Sequence, residues 1–128
     1  MSDFSSALSI AASGMRSQST RLTQVSENIA NADTPGYRRK LTVFQPDRDA
    51  APGAVTTGPV RLDRTELPQI FDPAHPMANE EGYYNGSNVD LIVEIADARQ
   101  AQRSYEANLR IFDQVRRMSS ELNDLLRR

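Results

Sequence analysis

The chain has 128 residues, a 38% hydrophobic fraction and only four Phe and four Tyr, enough for one small domain but not for a thick core, so a thin or extended structure is expected. A formal charge of -2 at pH 7 gives no overall attraction to nucleic acid or to an anionic membrane. The absence of cysteine excludes disulfides, thiol catalysis and thiolate metal sites, while leaving both reducing and oxidising compartments open.

The N-terminal "MSDFSSALSIAASGMRSQS" has neither a basic leader nor a continuous apolar block, so it reads as neither a secretory signal nor a membrane span. From Phe4 to Ala32, Leu8, Met15, Leu22 and Ile29 recur every seven residues. Phe4, Ala11, Val25 and Ala32 occupy the offset position, and Gln18 interrupts the seam. This spacing predicts a first helix with a coiled-coil-like seam. Its charges are few, Asp3, Arg16, Arg21, Glu27 and, just past the seam, Asp33, so its polar outer face suits packing against protein. Gly14 and the many serines also fit a low-propensity helix that frays.

The first helix should stop in "NIANADTPGYRRK". Asn28, Asn31 and Asp33 can hydrogen-bond backbone groups at the helix end, and Pro35 with Gly36 suits the middle of a type II turn. Tyr37 and the run Arg38, Arg39 and Lys40 lead onward; the basic run reads as a solvated strand edge rather than a nucleic-acid contact, which would need further clusters. All seven prolines lie between Pro35 and Pro76, which divides the chain into units 1–34, 35–86 and 87–128.

In the middle unit "KLTVF" and "VRLDR" alternate and are separated by Pro- and Gly-containing turns, predicting a small β-hairpin or loop module. "IFDPAHPMANEEGYY" reads as irregular and extended, because Asp72 and His75 each precede a proline. His75, the only histidine, could be grouped with Asp72, Glu80 and Glu81, but the spacing matches no zinc or calcium motif. No nucleophile-base pair, phosphate loop or cofactor site assembles, so neither catalysis nor a cofactor is expected. Asn85-Gly86-Ser87 matches a glycosylation sequon but is read as turn chemistry.

The second helix is expected to begin at "SNVD", with Ser87 and Asp90 forming a capping box, and to run for about forty residues, roughly 55 to 60 Å. Its stripe is Leu91, Ile95, Ala98, Tyr105, Leu109, Phe112, Val115, Met118, Leu122 and Leu125, with Gln102 in the gap. Glu106 with Arg110 and Asp113 with Arg117 have the acid-first spacing of four, which marks a solvated face or contacts to neighbouring subunits. Two long helices with so few large apolar side chains bury little when paired only with each other, so their order is expected to depend on neighbours.

These motifs resemble a known family, the bacterial flagellar basal-body rod and hook proteins. "AASGMRSQSTRLTQVSENIANADTPGY" is similar to the family's N-terminal block, and "SNVDLIVEIADARQAQRSYEANLRIFDQV" to its C-terminal helix. Within the family, "FDPAHPMANEEGYY" and "RSYEAN" look like one proximal-rod member; the "DTPGYRRK" junction and "GSNVD" look like its neighbour.

The resemblance implies a mainly α fold, with terminal helices pairing as a coiled-coil-like hairpin around a small β or irregular middle module. It also implies a non-enzymatic axial subunit in the periplasmic rod, exported unfolded through the flagellar type III apparatus without a cleaved signal. Partners would be copies of itself and other rod proteins, with no nucleic acid and no membrane insertion. The expected assembly seam is Leu8, Met15, Leu22, Val25 and Ile29 in the first helix. In the second it is Leu91, Ile95, Tyr105, Leu109, Phe112, Met118 and Leu122. Asn28, Asn31, Asp33, Pro35, Gly36 and Tyr37 form the family motif. A different class, a cytoplasmic coiled-coil export chaperone or adaptor, would show the same terminal helices and no catalytic site.

Overall fold

A computed structural model describes residues 3–128. Helix α1 spans Asp3–Ala30 and helix α2 spans Leu91–Leu126. Between them lie β1 (Lys40–Leu41), β2 (Phe44–Pro46), β3 (Val55–Thr57), β4 (Arg61–Leu62), β5 (Gln69–Phe71) and β6 (Tyr83–Asn85). The chain is therefore two long helices joined by a small antiparallel β module. Among the described residues no helix is long and apolar enough to cross a membrane.

The helices are antiparallel. Asn28 faces Glu94, Arg21 reaches Asp97 and Gln100, and Gly14 lies against the Asn108 side chain. A Cβ on Gly14 would come within 2.7 Å of the Asn108 amide nitrogen, so the glycine permits this close approach. With 36 residues against 28, and in this register, α2 continues about two turns past Asp3.

Strands β1 to β4 form one bent hairpin. Lys40 pairs with Leu62 and Leu41 with Arg61, and Phe44 to Pro46 pair with Thr57 to Val55. The Gly58 N–H to Val43 carbonyl bond, 2.8 Å, carries the ladder across the gap. This hairpin lies along α1: Lys40 is bonded to Asn28, Thr42 to Gln24 (2.6 Å) and the Val55 N–H to the Ser13 hydroxyl (3.0 Å). The polar face of α1 is thus covered by the chain's own hairpin, and Ser13, Ser17, Gln24 and Asn28 are buried. A side chain that is short or ends in an amide suits this face, because a strand offers it unpaired N–H and C=O groups.

The segment 70–84, expected to be irregular and extended throughout, instead pairs at its two ends. Strands β5 and β6 pair Gln69 with Asn85 and Phe71 with Tyr83, whose rings stand 5.1 Å apart. The prolines do not prevent this because they sit in the connecting turns. There the Asp72 side chain accepts the Ala74 N–H and the Asn79 side chain accepts those of Glu81 and Tyr83. His75 stacks on Tyr84 at 3.9 Å, and its Nδ1 accepts the Met77 N–H. Among the described residues no group of three or more acidic or histidine side chains is placed to hold a metal ion.

The start of α2 also differs from the expected capping box at Ser87. Asp90 is the N-cap, its carboxylate accepting the Ile92 N–H at 3.0 Å, while Ser87 accepts the Val89 N–H. Asn88 explains the delay. Its amide bonds the Arg39 N–H and the carbonyls of Asp63 and Thr65, which keeps 87–90 outside the helix.

Candidate functional site

Where α1 ends, β1 begins and α2 begins, a buried polar cluster joins all three. Asn28 is 1% exposed, and its amide is fully used. Its oxygen accepts the Tyr37 hydroxyl and the Lys40 N–H, both at 2.8 Å; its nitrogen donates to the Lys40 carbonyl (3.0 Å) and Glu94 Oε2 (3.2 Å). One side chain at a helix end therefore holds both backbone groups of a strand residue, as a neighbouring strand would.

Glu94 is fully buried and is paired through Oε1 with Arg39 Nε. The Arg39 fork also reaches Asp97 Oδ2 at 2.8 Å and Asp63 Oδ2 at 3.7 Å. Arg21, from α1, donates to Asp97 Oδ1 (3.3 Å) and to Gln100 (2.9 Å), so Asp97 bridges two arginines. Lys40 pairs with Glu27 at 2.6 Å, and Arg38 donates to the carbonyls of Asp63 and Thr65. The run Arg38, Arg39 and Lys40 is thus not a solvated edge, as expected from the sequence, but a fastening between segments. Its Arg39 guanidinium meets the charge of Glu94, a carboxylate that could not stay buried without a partner.

The electrostatics follow from this packing. Burial alone would lower the Arg39 pKa, but the bond and charge of Glu94 with the charges of Asp97 and Asp63 raise it. The Tyr37 phenol is raised by burial, and Glu27 and Glu94 reinforce this against Lys40. Lys40 is raised by its bond to Glu27. Asp63 is held below the usual carboxylate range by hydrogen bonds from Thr65, with Arg39 adding to it.

A lowered carboxylate contributes stability above its unfolded pKa, near 3.9, and loses it on acidification. Raised Lys40 and Tyr37 contribute below roughly pH 10 and lose it as the pH rises further. We expect the junction's hydrogen-exchange protection to be flat between these limits and to fall on both sides. Asp63→Asn should flatten the acid limb; an unchanged limb in that variant would remove Asp63 from the account.

The turn is built by its own residues. Pro35 and Gly36 occupy the middle of a turn closed by the Tyr37 N–H to the Thr34 carbonyl, and Gly36 has φ of 74°. Asn31 donates to the Glu27 carbonyl and accepts the Thr34 hydroxyl, while Asp33 is exposed.

The remaining predicted residues lie along the helices. Val25 is buried, Leu8, Met15, Leu22 and Phe112 are half-buried, and Ile29, Leu91, Ile95, Tyr105, Leu109, Met118 and Leu122 are exposed. The face of α2 turned to α1 carries Glu94, Ala101 and Asn108 instead. At 3.6 residues per turn, Leu91 and Leu109 stand roughly 80°, and Ile95 roughly 120°, to one side of Ala101. Small and polar residues make the contact within the chain, and large apolar ones are left uncovered beside it.

Sequence reasoning missed Arg39, Glu94 and Asp97 as a linked set. One signal was available: Glu94 and Asp97 have alanine, not a basic residue, four positions on, unlike Glu106. Among the described residues the acid-first pairs expected of α2 are not formed; the one ion pair with both members inside this helix is Asp113 with Arg116 at 3.7 Å.

Comparison with known proteins bears on this arrangement. Residues 5–38 match the family described as "Flagella basal body rod protein", and residues 80–125 match "Flagellar basal body rod FlgEFG protein C-terminal". The junction residues Asn28 and Tyr37 fall in the first match, and Glu94 and Asp97 in the second. The chain is 42% identical to the flagellar basal-body rod protein FlgC of Agrobacterium fabrum over 99% of this chain and 98% of that protein. It is 37% identical to FlgC of Escherichia coli over 85% and 87%, and 31% identical to FlgC of Bacillus subtilis over 80% and 84%. This resolves the two proximal-rod resemblances in favour of one, and the chain belongs to the flagellar basal-body rod protein family, among the FlgC proteins.

Proposed function

We propose that this chain is a structural subunit of the proximal rod of the bacterial flagellar basal body. The observation that carries this reading is the uncovered row of large apolar side chains on α2, beside an intrachain contact made of small and polar ones. An apolar surface of this kind marks a place that a partner covers, and in a rod subunit the partner is protein. In this reading α1 and α2 supply helical assembly seams, with Leu8, Met15, Leu22, Val25 and Ile29 meeting copies and other rod proteins, as do Leu91, Ile95, Tyr105, Leu109, Phe112, Met118 and Leu122.

The units 1–34, 35–86 and 87–128 act as assembly helix, middle module and assembly helix; the first two residues of the first unit lie outside the described part. The junction of Asn28, Arg39 and Glu94 sets the angle between the helices, while their distal parts complete their order among neighbours. Low order before assembly suits passage through the flagellar type III export apparatus, with no cleaved signal, into the periplasmic rod. The role needs no catalytic group or cofactor.

The chain should be recovered in purified basal bodies, and its deletion should stop rod growth. Recovery only in a soluble cytoplasmic complex would favour an export chaperone or adaptor. Circular dichroism of the dilute chain should show less helix than the 28 and 36 residues of α1 and α2. Full helix with cooperative, concentration-independent melting would overturn the coupling of order to assembly.

A further inference from the structure

Asn85-Gly86 is the only Asn-Gly pair in the chain; the other asparagines precede Ile, Ala, Glu, Val, Leu or Asp. With no Cβ on the following residue, nothing shields the Asn85 side-chain carbonyl carbon from the next backbone nitrogen. Once base has removed its proton, that nitrogen can attack Cγ. The new N–C bond closes a five-membered succinimide, the Cγ–Nδ2 bond breaks, and ammonia leaves with the proton taken from Gly86. Water then opens the ring at either carbonyl, giving aspartate or, with an extra methylene in the main chain, isoaspartate.

The fold holds this peptide away from that reaction. Asn85 closes β6, where its carbonyl accepts the Gly36 N–H at 3.1 Å, and the next N–H, of Gly86, donates to the Pro68 carbonyl at 2.8 Å. Both groups belong to one planar peptide, so turning the Gly86 nitrogen toward Cγ breaks both bonds at once. The bond to Pro68 also opposes loss of the Gly86 proton. Although Asn85 is exposed, its side-chain oxygen is held across the ladder by the Gln69 amide. Gly86 is buried, and a Cβ there would lie 2.7 Å from Ile70 Cδ1 and 3.3 Å from Pro68 Cγ, so the root of the hairpin is packed around a glycine.

We propose that Asn85 is a conditional modification site, deamidating while the β5–β6 hairpin is unrooted and protected once the 85–86 peptide is clamped between Gly36 and Pro68. The reaction needs only water and base. Its two products differ in consequence. Aspartate keeps the backbone, and its carboxylate can still accept from Gln69. Isoaspartate lengthens the main chain, displaces the carbonyl that Gly36 binds and puts the following residues out of register, so a chain modified before folding cannot root the hairpin. The modification thus separates chains that fold promptly from chains that wait unfolded. It concerns the hairpin root alone and stands apart from the rod-subunit reading.

The full-length chain is incubated in mildly alkaline buffer with and without guanidinium chloride, then digested. Chromatography with mass spectrometry separates the Asn, Asp and isoaspartyl forms of the peptide containing residue 85. Deamidation should run at least about tenfold slower in buffer than in denaturant, because it waits on local opening. Gly86→Ala should slow the reaction in denaturant, as attack by the Gly86 nitrogen requires. The isoaspartyl chain, purified and returned to buffer, should lose protection of the Gly36 amide from hydrogen exchange by about tenfold, while Asn85→Asp should keep it. Equal rates in buffer and denaturant would overturn the clamp. Full Gly36 protection in the isoaspartyl chain, or equal loss in Asn85→Asp, would overturn the rejection of the lengthened backbone.

Discussion

Replacing Arg39 by methionine should cost the helix junction about 3 to 5 kcal/mol, the range for leaving one partner of a buried ion pair alone. Glu94 would remain fully buried with only the Asn28 amide to meet its charge, and Asp97 would keep only Arg21 and lose its second cation. Methionine retains most of the stem volume, so the loss reports the charge and its hydrogen bonds rather than a cavity. The measurement is hydrogen exchange at the Lys40 and Arg39 amides, which Asn28 and Asn88 hold.

Asn28→Ala should act on the same unit and cost about 3 kcal/mol, because the Tyr37 hydroxyl, the Lys40 N–H and carbonyl and a Glu94 oxygen each lose a partner. Asn28→Asp should be worse, since it removes both donors and sets an anion against Glu94. If Arg39→Met and Asn28→Ala simply added, they would not form one network; the shared Glu94 predicts a double variant less damaging than the sum. Combining Arg39→Met with Glu94→Gln should recover part of the loss, because the orphaned charge is then gone.

Leu109→Ala and Phe112→Ala should separate assembly from folding. Both lie in the apolar stripe of α2, but Leu109 is 41% exposed whereas Phe112 is half-buried on the side that also carries Ala101 and Asn108. Leu109→Ala should leave the junction's exchange protection unchanged and weaken incorporation into rods by about 2 to 5 kcal/mol, the cost of an emptied buried leucine site. Phe112→Ala should weaken incorporation and also loosen the pairing of the distal helices. Normal incorporation of the double variant would show that this stripe is not covered in the rod.

The contrast between these residues shows where periodicity was informative. Repeats of seven and of three or four identified both helices, because any helix that buries one side must repeat at its own period. The Thr34-Pro35-Gly36-Tyr37 turn was equally legible, since proline restricts φ and glycine accepts the positive φ of the next position. These are local constraints, written within a few residues of where they act.

Which apolar residues face inward was not legible in the same way. The stripe through Leu91, Ile95 and Leu109 was the larger apolar signal, yet Gly14 and Ala101 let the helices approach on the adjacent face, where Glu94 and Asn108 also fit. Close approach favours small residues, and hydrophobicity alone does not register them. The polar face of α1 likewise showed that protein would lie against it, but not that the protein would be the chain's own hairpin.

Residue identity and spacing on their own established two long helices, a turn-rich middle, the Pro35-Gly36 reversal and the membership that the Asn28 to Tyr37 motif carries. The fold in three dimensions settled what Arg39, Glu94 and Asp97 do, because their meeting spans 55 and 58 residues of chain. A charge's role depends on the partner opposite it and on the water excluded around the pair. Both arise only when α1, β1 and α2 converge, which no local pattern encodes.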